Sequence, residues 1–329
     1  MPTHYDEDGR MHLRPCSADL RPGISRSLPV ITTAVVLAVT GCSTGDARPV
    51  ANTTPSPLPC NRNATPGPHP ESAVLSAGTA PHTALRYHPA AGATVHATVA
   101  QSINETGTSA GSPATTTTTT RVPYTVTFSA VCGPVFTTTT VYGEPRVRAT
   151  GAGAAAARDR LGLLHDLVLR EARDTRGQLV ASSRSAPGGV DASTQQDLDD
   201  LLAQLAQSAV VFPEQAIGVG ARWTIQSRQA VSGFSLASIT RYTLRHLSAD
   251  EVTLDLRLEV TAKPQVRSAQ GSRISLESYR GTGSGSLRIN LGTTLSSTGT
   301  ITLVVDQRTS TGDTRTDNRI TQQVQLSSS

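Results

Sequence analysis

One stretch of the sequence, EVTLDLRLEV at residues 251–260, alternates strictly between polar and apolar side chains. The apolar members point to one face of a strand and the polar members to the other, which is typical of a β-strand with one buried and one wet face. Weaker copies of this alternation begin at Val95, Tyr124, Trp223, Tyr242, Ile274, Leu287, Ile301 and Val324. Strands that follow one another through short turns pair antiparallel, because parallel neighbours need a crossover connection.

One helix is predicted beside these strands. Four leucines have the i, i+3, i+4, i+7 spacing of one helix face: Leu198, Leu201, Leu202 and Leu205. Ser193 and Gln196 offer a capping box at its start, and the helix must end before Pro213. The sequence therefore predicts a mainly β (α+β) fold, with a curved antiparallel sheet or partly open barrel and one or two covering helices.

Residues 154–173 admit two interpretations. They form one helix, or a short helix followed by a hairpin that turns at residues 174–177. Three leucines whose spacing suits paired strands favour the hairpin: Leu167, Leu169 and Leu179. Two threonine runs are also ambiguous, because a uniform run has no apolar face. We expect residues 115–120 to be a mobile hairpin tip and residues 137–140 to be an edge strand.

The N-terminal region has the features of a targeting segment. Residues 28–39 form an apolar stretch of about a dozen residues, shorter than the 20 or so that a membrane-spanning helix needs. Arg14, Arg21 and Arg26 precede it, as basic residues precede the apolar core of a secretory signal peptide. Translation starts at Met1 or at Met11, and the sequence leaves both possibilities open.

The apolar stretch ends at Val39-Thr40-Gly41-Cys42, which resembles the lipobox of bacterial lipoproteins. The resemblance implies cleavage between Gly41 and Cys42 and transfer of diacylglycerol to the Cys42 thiol. Acyl chains on Cys42 anchor a protein stably, because each buried methylene contributes about 0.8 kcal/mol. We therefore expect a lipid-anchored protein on the extracytoplasmic face of the cell membrane.

This resemblance and the composition together divide the chain. The divisions are a signal peptide at 1–41, a lipidated cysteine and Pro/Thr/Ser-rich tether at 42–80, and a single β-rich extracytoplasmic domain at 81–329. Two cysteines, Cys60 and Cys132, remain for the oxidising compartment outside the membrane. We predict a disulfide between them, and the alternative is a pair of free thiols.

The sequence contains no recognisable catalytic motif. It lacks HExxH, GxSxG and the phosphate loop, and its net charge of +4 with scattered basic residues does not indicate a nucleic-acid partner. His165 and Asp166 could suggest a catalytic base and its orienting partner, but side chains that are neighbours in sequence rarely face each other. The acids at 197, 199 and 200 could suggest a cation site, but negative charge is also favoured near a helix N-terminus. The glycines of GTGSGS, residues 281–286, are expected to bend a strand or form a loop. We therefore predict no enzyme, no metal site and no cofactor.

A second resemblance lies in VFPEQAIGVGARW, residues 211–223. Phe212-Pro213, Ile217, Val219-Gly220 and Trp223 fit a P-x-x-x-[IV]-x-V-G-x-x-W signature similar to that of an uncharacterised class of secreted bacterial lipoproteins. The class has an acid after the second glycine of this segment, where this chain has Ala221. The resemblance extends over about residues 83–308 and implies no activity. From the residues alone, Gly220 permits a tight turn and Trp223 plugs one end of the sheet.

These observations favour a non-catalytic binding or carrier protein for an apolar or lipid ligand. Five leucines are candidates for a cleft between helix and sheet: Leu198, Leu202, Leu205, Leu254 and Leu256. The alternative is a structural or assembly lipoprotein of the cell envelope, with a solidly packed core and a protein partner. Convergent polar side chains in a cleft would instead favour an enzyme.

Overall fold

The computed structural model describes residue 58 and residues 71–109, 111–150, 158–159, 161–185, 198, 210–231, 233–269, 272–292 and 297–328. Every element bounded within these residues is a β-strand. The strands are β1 Glu71–Ser76, β2 Thr94–Ser109, β3 Ser112–Cys132, β4 Val135–Tyr142, β5 Arg146–Ala149, β6 Val168–Asp174, β7 Leu179–Arg184, β8 Arg222–Val231, β9 Phe234–Leu247, β10 Glu251–Ala262, β11 Gln265–Ala269, β12 Ser272–Asn290, β13 Ser297–Thr311 and β14 Thr314–Ser328. Among the described residues, no helix is long and apolar enough to span a membrane.

The strands form a single 14-stranded antiparallel sheet. The order is β1-β8-β9-β10-β12-β13-β14-β2-β3-β4-β6-β7, with β11 paired to β12 and β5 paired to β3. The sheet is open, because β1 and β7 end the order and no ladder joins them. The predicted antiparallel sheet is confirmed. Covering helices are not shown.

Side chains of alternate residues define an inner face, which carries the core. The aromatic cluster occupies one region and includes Phe128, Phe136, Phe212, Trp223, Tyr242 and Leu254. The distal cluster, farther along the same strands, includes Ile103, Phe234, Leu236, Tyr279, Val305 and Ile320. The lateral cluster contains Val122, Tyr142, Leu161, Leu164, Leu167, Leu169 and Leu198. The aromatic cluster draws on strands from β8 to β4, so the sheet is curved enough to pack much of its inner face against itself.

Glycines on the inner face of β12 permit the close approach of β13. Gly281, Gly283 and Gly285 lie opposite Val305, Leu303 and Ile301 of β13. A Cβ at Gly283 would lie 2.8 Å from the carbonyl oxygen of Thr302 and 3.3 Å from a Leu303 methyl. The GTGSGS segment therefore lies within a strand and not in a loop, and its glycines let β13 approach closely.

The outer face is polar and charged. Three of its ion pairs join neighbouring strands: Arg245–Asp255 at 2.6 Å, Arg288–Glu251 at 2.6 Å and Arg308–Asp317 at 2.5 Å. Exposed pairs of this kind contribute little stability, about 0–1 kcal/mol each. They do show that this face of β9 to β14 is presented to water rather than to a second apolar layer.

Two irregular segments, residues 77–88 and 210–220, together form what we call the strap. A bridge between Thr83 and Ile217 holds the two segments together. Three backbone hydrogen bonds join the strap to distant parts of the sheet: Tyr87 N–H to Thr175 O, Phe212 N–H to Arg176 O, and Gly220 N–H to Leu244 O. The strap therefore connects the β6–β7 turn at one side of the strand order to β9 near the other.

The structure distinguishes between several local predictions. Residues 168–184 form the β6–β7 hairpin that turns at residues 174–177, so the hairpin interpretation is confirmed. The threonine predictions are wrong. Residues 115–120 lie inside β3, paired along their whole length with β2, and residues 137–140 lie in β4, which is flanked by β3 and β6. Thr138 and Thr140 are buried there.

Other predictions meet the limits of the described residues. The signal peptide, the Gly41–Cys42 cleavage site and most of the tether lie outside them, as do Ser193, Leu202 and Leu205 of the predicted helix. Leu198 is buried in the lateral cluster. β1 lies ten residues before the expected domain boundary at 81 and pairs with β8, so the sheet begins within the segment predicted to be a tether.

Candidate functional site on the inner face

Five polar side chains lie together on the inner face of three adjacent strands. They are Gln101 and Glu105 of β2, Gln307 of β13, and Asn318 and Gln322 of β14, and we call them the inner amide cluster. β14 lies between β13 and β2 in the sheet. The cluster therefore joins β2, near the start of the described chain, to β13 and β14 at its end, across residues that are about two hundred positions apart.

The register places these side chains next to one another. Gln307 lies directly opposite Asn318, and Asn318 lies directly opposite Gly107. Gly107 leaves room for the Asn318 amide, because a Cβ at Gly107 would collide with Asn318 Oδ1. Glu105 lies two residues before Gly107 on the same face, diagonal to Asn318.

Most of the cluster is deeply buried. The exposed fractions are 3% for Gln101, 3% for Gln307, 8% for Asn318 and 1% for Gln322. Glutamine and asparagine are mostly exposed in folded proteins, so four buried amides in neighbouring strands are unusual. They alternate with Ile103, Val305 and Ile320 of the distal cluster. The site is thus a polar group set into an apolar wall.

Gln307 has hydrogen-bonding capacity that the described residues do not use. Neither its Nε2 nor its Oε1 has a hydrogen-bond partner among them, although both atoms are buried. A buried polar group without a partner costs about 1–3 kcal/mol. Such groups are uncommon in native proteins and call for an explanation in each case. A hydrogen-bonding ligand at this position would supply one.

Glu105 contributes the cluster's only ionisable group. Burial raises the pKa of its carboxyl to about 7. The residues directly opposite it, Ile320 of β14 and Thr116 of β3, cannot carry a charge. Glu105 is also the only ionisable residue at the inner positions of β13, β14 and β2 in the described chain. Near neutral pH the cluster therefore holds at most a partial negative charge.

The cluster opens toward solvent along the β2–β3 hairpin. Gln101 and Ile103 are buried, Glu105 and Thr116 are half-buried, and Ala114 at the end of the inner face is exposed. Exposure therefore increases from Gln101 toward the tip of the hairpin. This increase is confined to β2 and β3, because Thr309 of β13 and Thr316 of β14 are buried at the same end.

Of the leucines predicted to line a cleft, the structure brings Leu254 and Leu256 together and places Leu198 in a different cluster. Leu254 is fully buried in the aromatic cluster and Leu256 nearly so, whereas Leu198 belongs to the lateral cluster. Trp223 stacks on Tyr242 in the aromatic cluster, with ring centroids 5.2 Å apart. The inner face around Leu254 is therefore filled by side chains.

The segment at residues 211–223 has a structural role at this end of the sheet. Trp223 is fully buried, and its Nε1–H donates to Val211 O at 3.2 Å. Gly220 has a φ of 84°, a conformation that favours glycine, and its N–H donates to Leu244 O at 2.8 Å. The predicted turn at Gly220 and the burial of Trp223 are both confirmed.

A buried ion pair supports the adjoining hairpin. Arg173 Nη2 donates to Glu171 Oε1 at 2.8 Å, and Arg173 Nη1 donates to Gly177 O at 2.9 Å. Both side chains are almost completely buried. Because buried charges need such partners, the pair ties β6 to its own turn and is satisfied within the fold. It is therefore a structural feature rather than a site for a ligand.

Other groups that suggested chemistry in the sequence are not assembled into a site where the structure describes them. His165 Nε2 lies 3.8 Å from Asp166 Oδ1, and both side chains are largely exposed. The described residues contain no group of three or more His, Cys, Asp or Glu placed to hold a metal ion. Cys132 ends β3 and is disulfide-bonded. Its predicted partner, Cys60, lies outside the described residues, so the pairing stays a prediction.

Comparison with known proteins adds little about function. A family of unknown function (DUF6263) matches residues 193–296, which is less than half of the chain. No curated protein matches the chain.

Three solved structures are similar in part. The COG4313 outer membrane channel from Pseudomonas putida F1 is 8% identical over 73% of this chain and 97% of its own, with a TM-score of 0.24. The translocator domain of the autotransporter NalP from Neisseria meningitidis is 10% identical over 72% and 89%, with a TM-score of 0.26. OccK2 (OpdF) from Pseudomonas aeruginosa is 9% identical over 71% and 98%, with a TM-score of 0.23. Scores this low carry no argument about this chain.

Proposed function

We propose that this chain is a membrane-anchored extracytoplasmic lipoprotein that acts by binding an apolar or lipid ligand and does not catalyse a reaction. The observation that carries the proposal is the inner amide cluster, a buried polar group set into the apolar wall of the distal cluster. Binding sites for small molecules are concave, mostly apolar and provided with a few polar groups. The lipobox resemblance at Gly41-Cys42 supports the anchor, and acyl chains would hold the domain close to a source of lipid.

The inner amide cluster does not by itself indicate an enzyme. Glu105 has no described base, nucleophile or orienting partner within its row of the sheet, where its neighbours are Ile320 and Thr116. General acid–base catalysis needs a second group placed within hydrogen-bond reach of the reacting atoms. Four amides and one carboxyl are suited to recognition through hydrogen bonds.

A structural or assembly role is the second candidate. It is favoured by the aromatic cluster, where Leu254 is fully buried and Trp223 fills the interior. A protein with that function would need no ligand and would meet its partner through the polar outer face.

The anchor is tested by metabolic labelling with palmitate. We expect label in the wild-type protein and none in Cys42→Ser, because only the lipobox cysteine receives diacylglycerol. An inhibitor of signal peptidase II should cause the precursor to accumulate. Equal labelling of the two proteins would refute the anchor.

The binding function is tested by native mass spectrometry of the acyl-free chain purified from its own host. We expect a population with the added mass of a lipid. Protein without any added mass, together with a large loss of thermal stability in Leu254→Trp, would favour the structural role, since tryptophan disrupts a packed core.

A further inference from the structure

We propose that the inner amide cluster seats the uncharged, hydroxyl- or amide-bearing head group of a lipid, with Gln307 as its anchoring residue. This inference rests on the proposed binding function and names its ligand class. It starts from the position of Gln307, whose two polar side-chain atoms are buried without a hydrogen-bond partner in the described structure.

The chemistry of the cluster selects an uncharged head group. A primary amide presents one acceptor and a donor group side by side, and so matches hydroxyl and amide groups. A phosphate or carboxylate would need a cation, but the inner positions of β13, β14 and β2 that the structure describes carry none. Glu105 would add repulsion to any anion. Anionic phospholipids are therefore disfavoured relative to neutral glycolipids and acylglycerols.

The surroundings of the cluster select an amphipathic ligand. Ile103, Val305 and Ile320 lie between the polar residues on the same face and belong to the distal cluster. A lipid would bring its acyl chain against this apolar surrounding, whereas a free sugar would place hydroxyl groups against it. In this proposal the ligand enters from the side of β2 and β3, where the inner face is exposed at Ala114 and half-buried at Glu105.

Stability and binding should respond in opposite directions to one substitution. Gln307→Leu keeps the approximate volume of the side chain and removes the unpaired polar atoms. Replacing an unsatisfied buried amide with an apolar group is neutral or stabilising, so we expect a thermal midpoint equal to or above that of wild type. The same change removes the hydrogen bonds to the head group and should lower binding. A purely structural glutamine would instead lose stability when replaced.

The test uses the full mature chain carrying Cys42→Ser and two sets of phosphatidylcholine vesicles. One set contains fluorescent galactosyl diacylglycerol, and the other contains fluorescent phosphatidylglycerol with the same acyl chains. Labelled lipid carried by the protein is measured after the vesicles are removed by centrifugation. Methyl galactoside is added in a third arm as a competitor that has the head group without the chains.

We expect the neutral glycolipid to be bound in preference to phosphatidylglycerol, without displacement by methyl galactoside. Gln307→Leu should reduce glycolipid binding by about tenfold, the effect of losing about 1.4 kcal/mol. Gln325→Leu, on the exposed outer face of β14, is the matched control and should bind as wild type does. Gln307→Met, a second apolar variant with a differently shaped side chain, should reproduce the loss, because it removes the same hydrogen bonds.

The outcomes separate the two proposals. Glycolipid binding that persists in both Gln307 variants, a preference for phosphatidylglycerol, or displacement by methyl galactoside would overturn this inference and leave a binding function in place. Failure of wild type to take up either lipid, with no ligand in protein from its own host, would overturn the binding function itself. Loss of binding with a lowered thermal midpoint in both variants would assign Gln307 a structural role.

Discussion

At the scale of single residues, the ionisation of Glu105 is the property that most directly reports whether the inner face is buried. A carboxyl that enters an apolar region is stabilised in its neutral form, because its charged form loses hydration that nothing replaces. Burial raises the pKa of Glu105 to about 7. No described cation lies at the inner positions of β2 or of its neighbour β14, so no nearby positive charge on these strands lowers the pKa of Glu105 again.

This raised pKa predicts how stability depends on pH. Between pH 4.5 and 7 the folded state holds a proton on Glu105 that the unfolded state has lost, so stability falls as pH rises through this range. Glu105→Gln cannot ionise. We therefore expect its free energy of unfolding to match that of wild type below pH 4.5 and to exceed it by about 2 kcal/mol above pH 7, with allowance for partial exposure.

Urea unfolding at a series of pH values measures this difference. Glu144→Gln is the control, because Glu144 is exposed and should leave the pH profile of wild type unchanged. If Glu105→Gln and wild type keep parallel profiles from pH 4 to 8, the carboxyl of Glu105 is not buried in solution.

At the scale of elements, β12 depends on the absence of side chains at its centre. A Cβ at Gly285 would collide with Thr300 O and lie 2.9 Å from Ile301 Cα. We expect Gly285→Ala to push β13 away and to destabilise the protein by about 1–3 kcal/mol, the usual effect of overpacking. The midpoint of urea unfolding measures this loss.

Gly162→Ala is the matched control, because an added Cβ at Gly162 meets no atom within 4 Å. Its stability should be close to that of wild type. Equal stability of the two alanine variants would contradict the close approach of β13 to β12.

The strands that could be predicted from sequence are those with an apolar inner face. β10 was predicted at residues 251–260 and is observed at Glu251–Ala262, because all its inner positions are apolar. The second half of β2 gave no such signal, since Gln101 and Glu105 occupy its inner positions. The threonine run in β3 was interpreted as a tip for the same reason. A search for apolar alternation cannot find a strand whose buried face is polar.

The candidate site could not be predicted, because it depends on which strands become neighbours. Gln101 and Gln322 are brought together by the pairing of β2 with β14, the longest-range contact in the sheet order. Nothing in local spacing encodes that pairing. Amides spaced by two or four positions within strand-forming sequence would have been a usable signal for a polar inner face. Asn318 and Gln322 are four positions apart.

At the scale of the whole molecule, the open sheet is joined by contacts outside its ladders. The strap hydrogen-bonds to the β6–β7 turn through Tyr87 and Phe212 and to β9 through Gly220. Tyr87 packs against Phe136 of β4 and Phe212 of the strap, which joins the strap to β4 through side chains as well. Because the strap joins strands far apart in the order, we expect them to unfold as one cooperative unit.

A disulfide between Cys60 and Cys132 would add a covalent link to this arrangement. Cys132 ends β3, next to the turn that leads into β4, and is disulfide-bonded. Pairing with Cys60 closes a loop of about 70 residues and should stabilise the folded state by about 4 kcal/mol. The tether that is free to extend from the membrane would then be confined to about residues 43–59.

Peptide mapping without reduction tests the pairing directly. We expect one cross-linked peptide pair containing Cys60 and Cys132, and a thermal midpoint that falls by a similar amount in Cys60→Ser and in Cys132→Ser. The double variant should be no less stable than either single variant, because both single changes remove the same bond. Recovery of the two cysteines as free thiols, or of Cys132 joined to a cysteine other than Cys60, would refute the pairing. In that case residues 43–70 would not be held at the β3–β4 turn by this bond, and the reach of the domain from the membrane would have to be set by the tether alone.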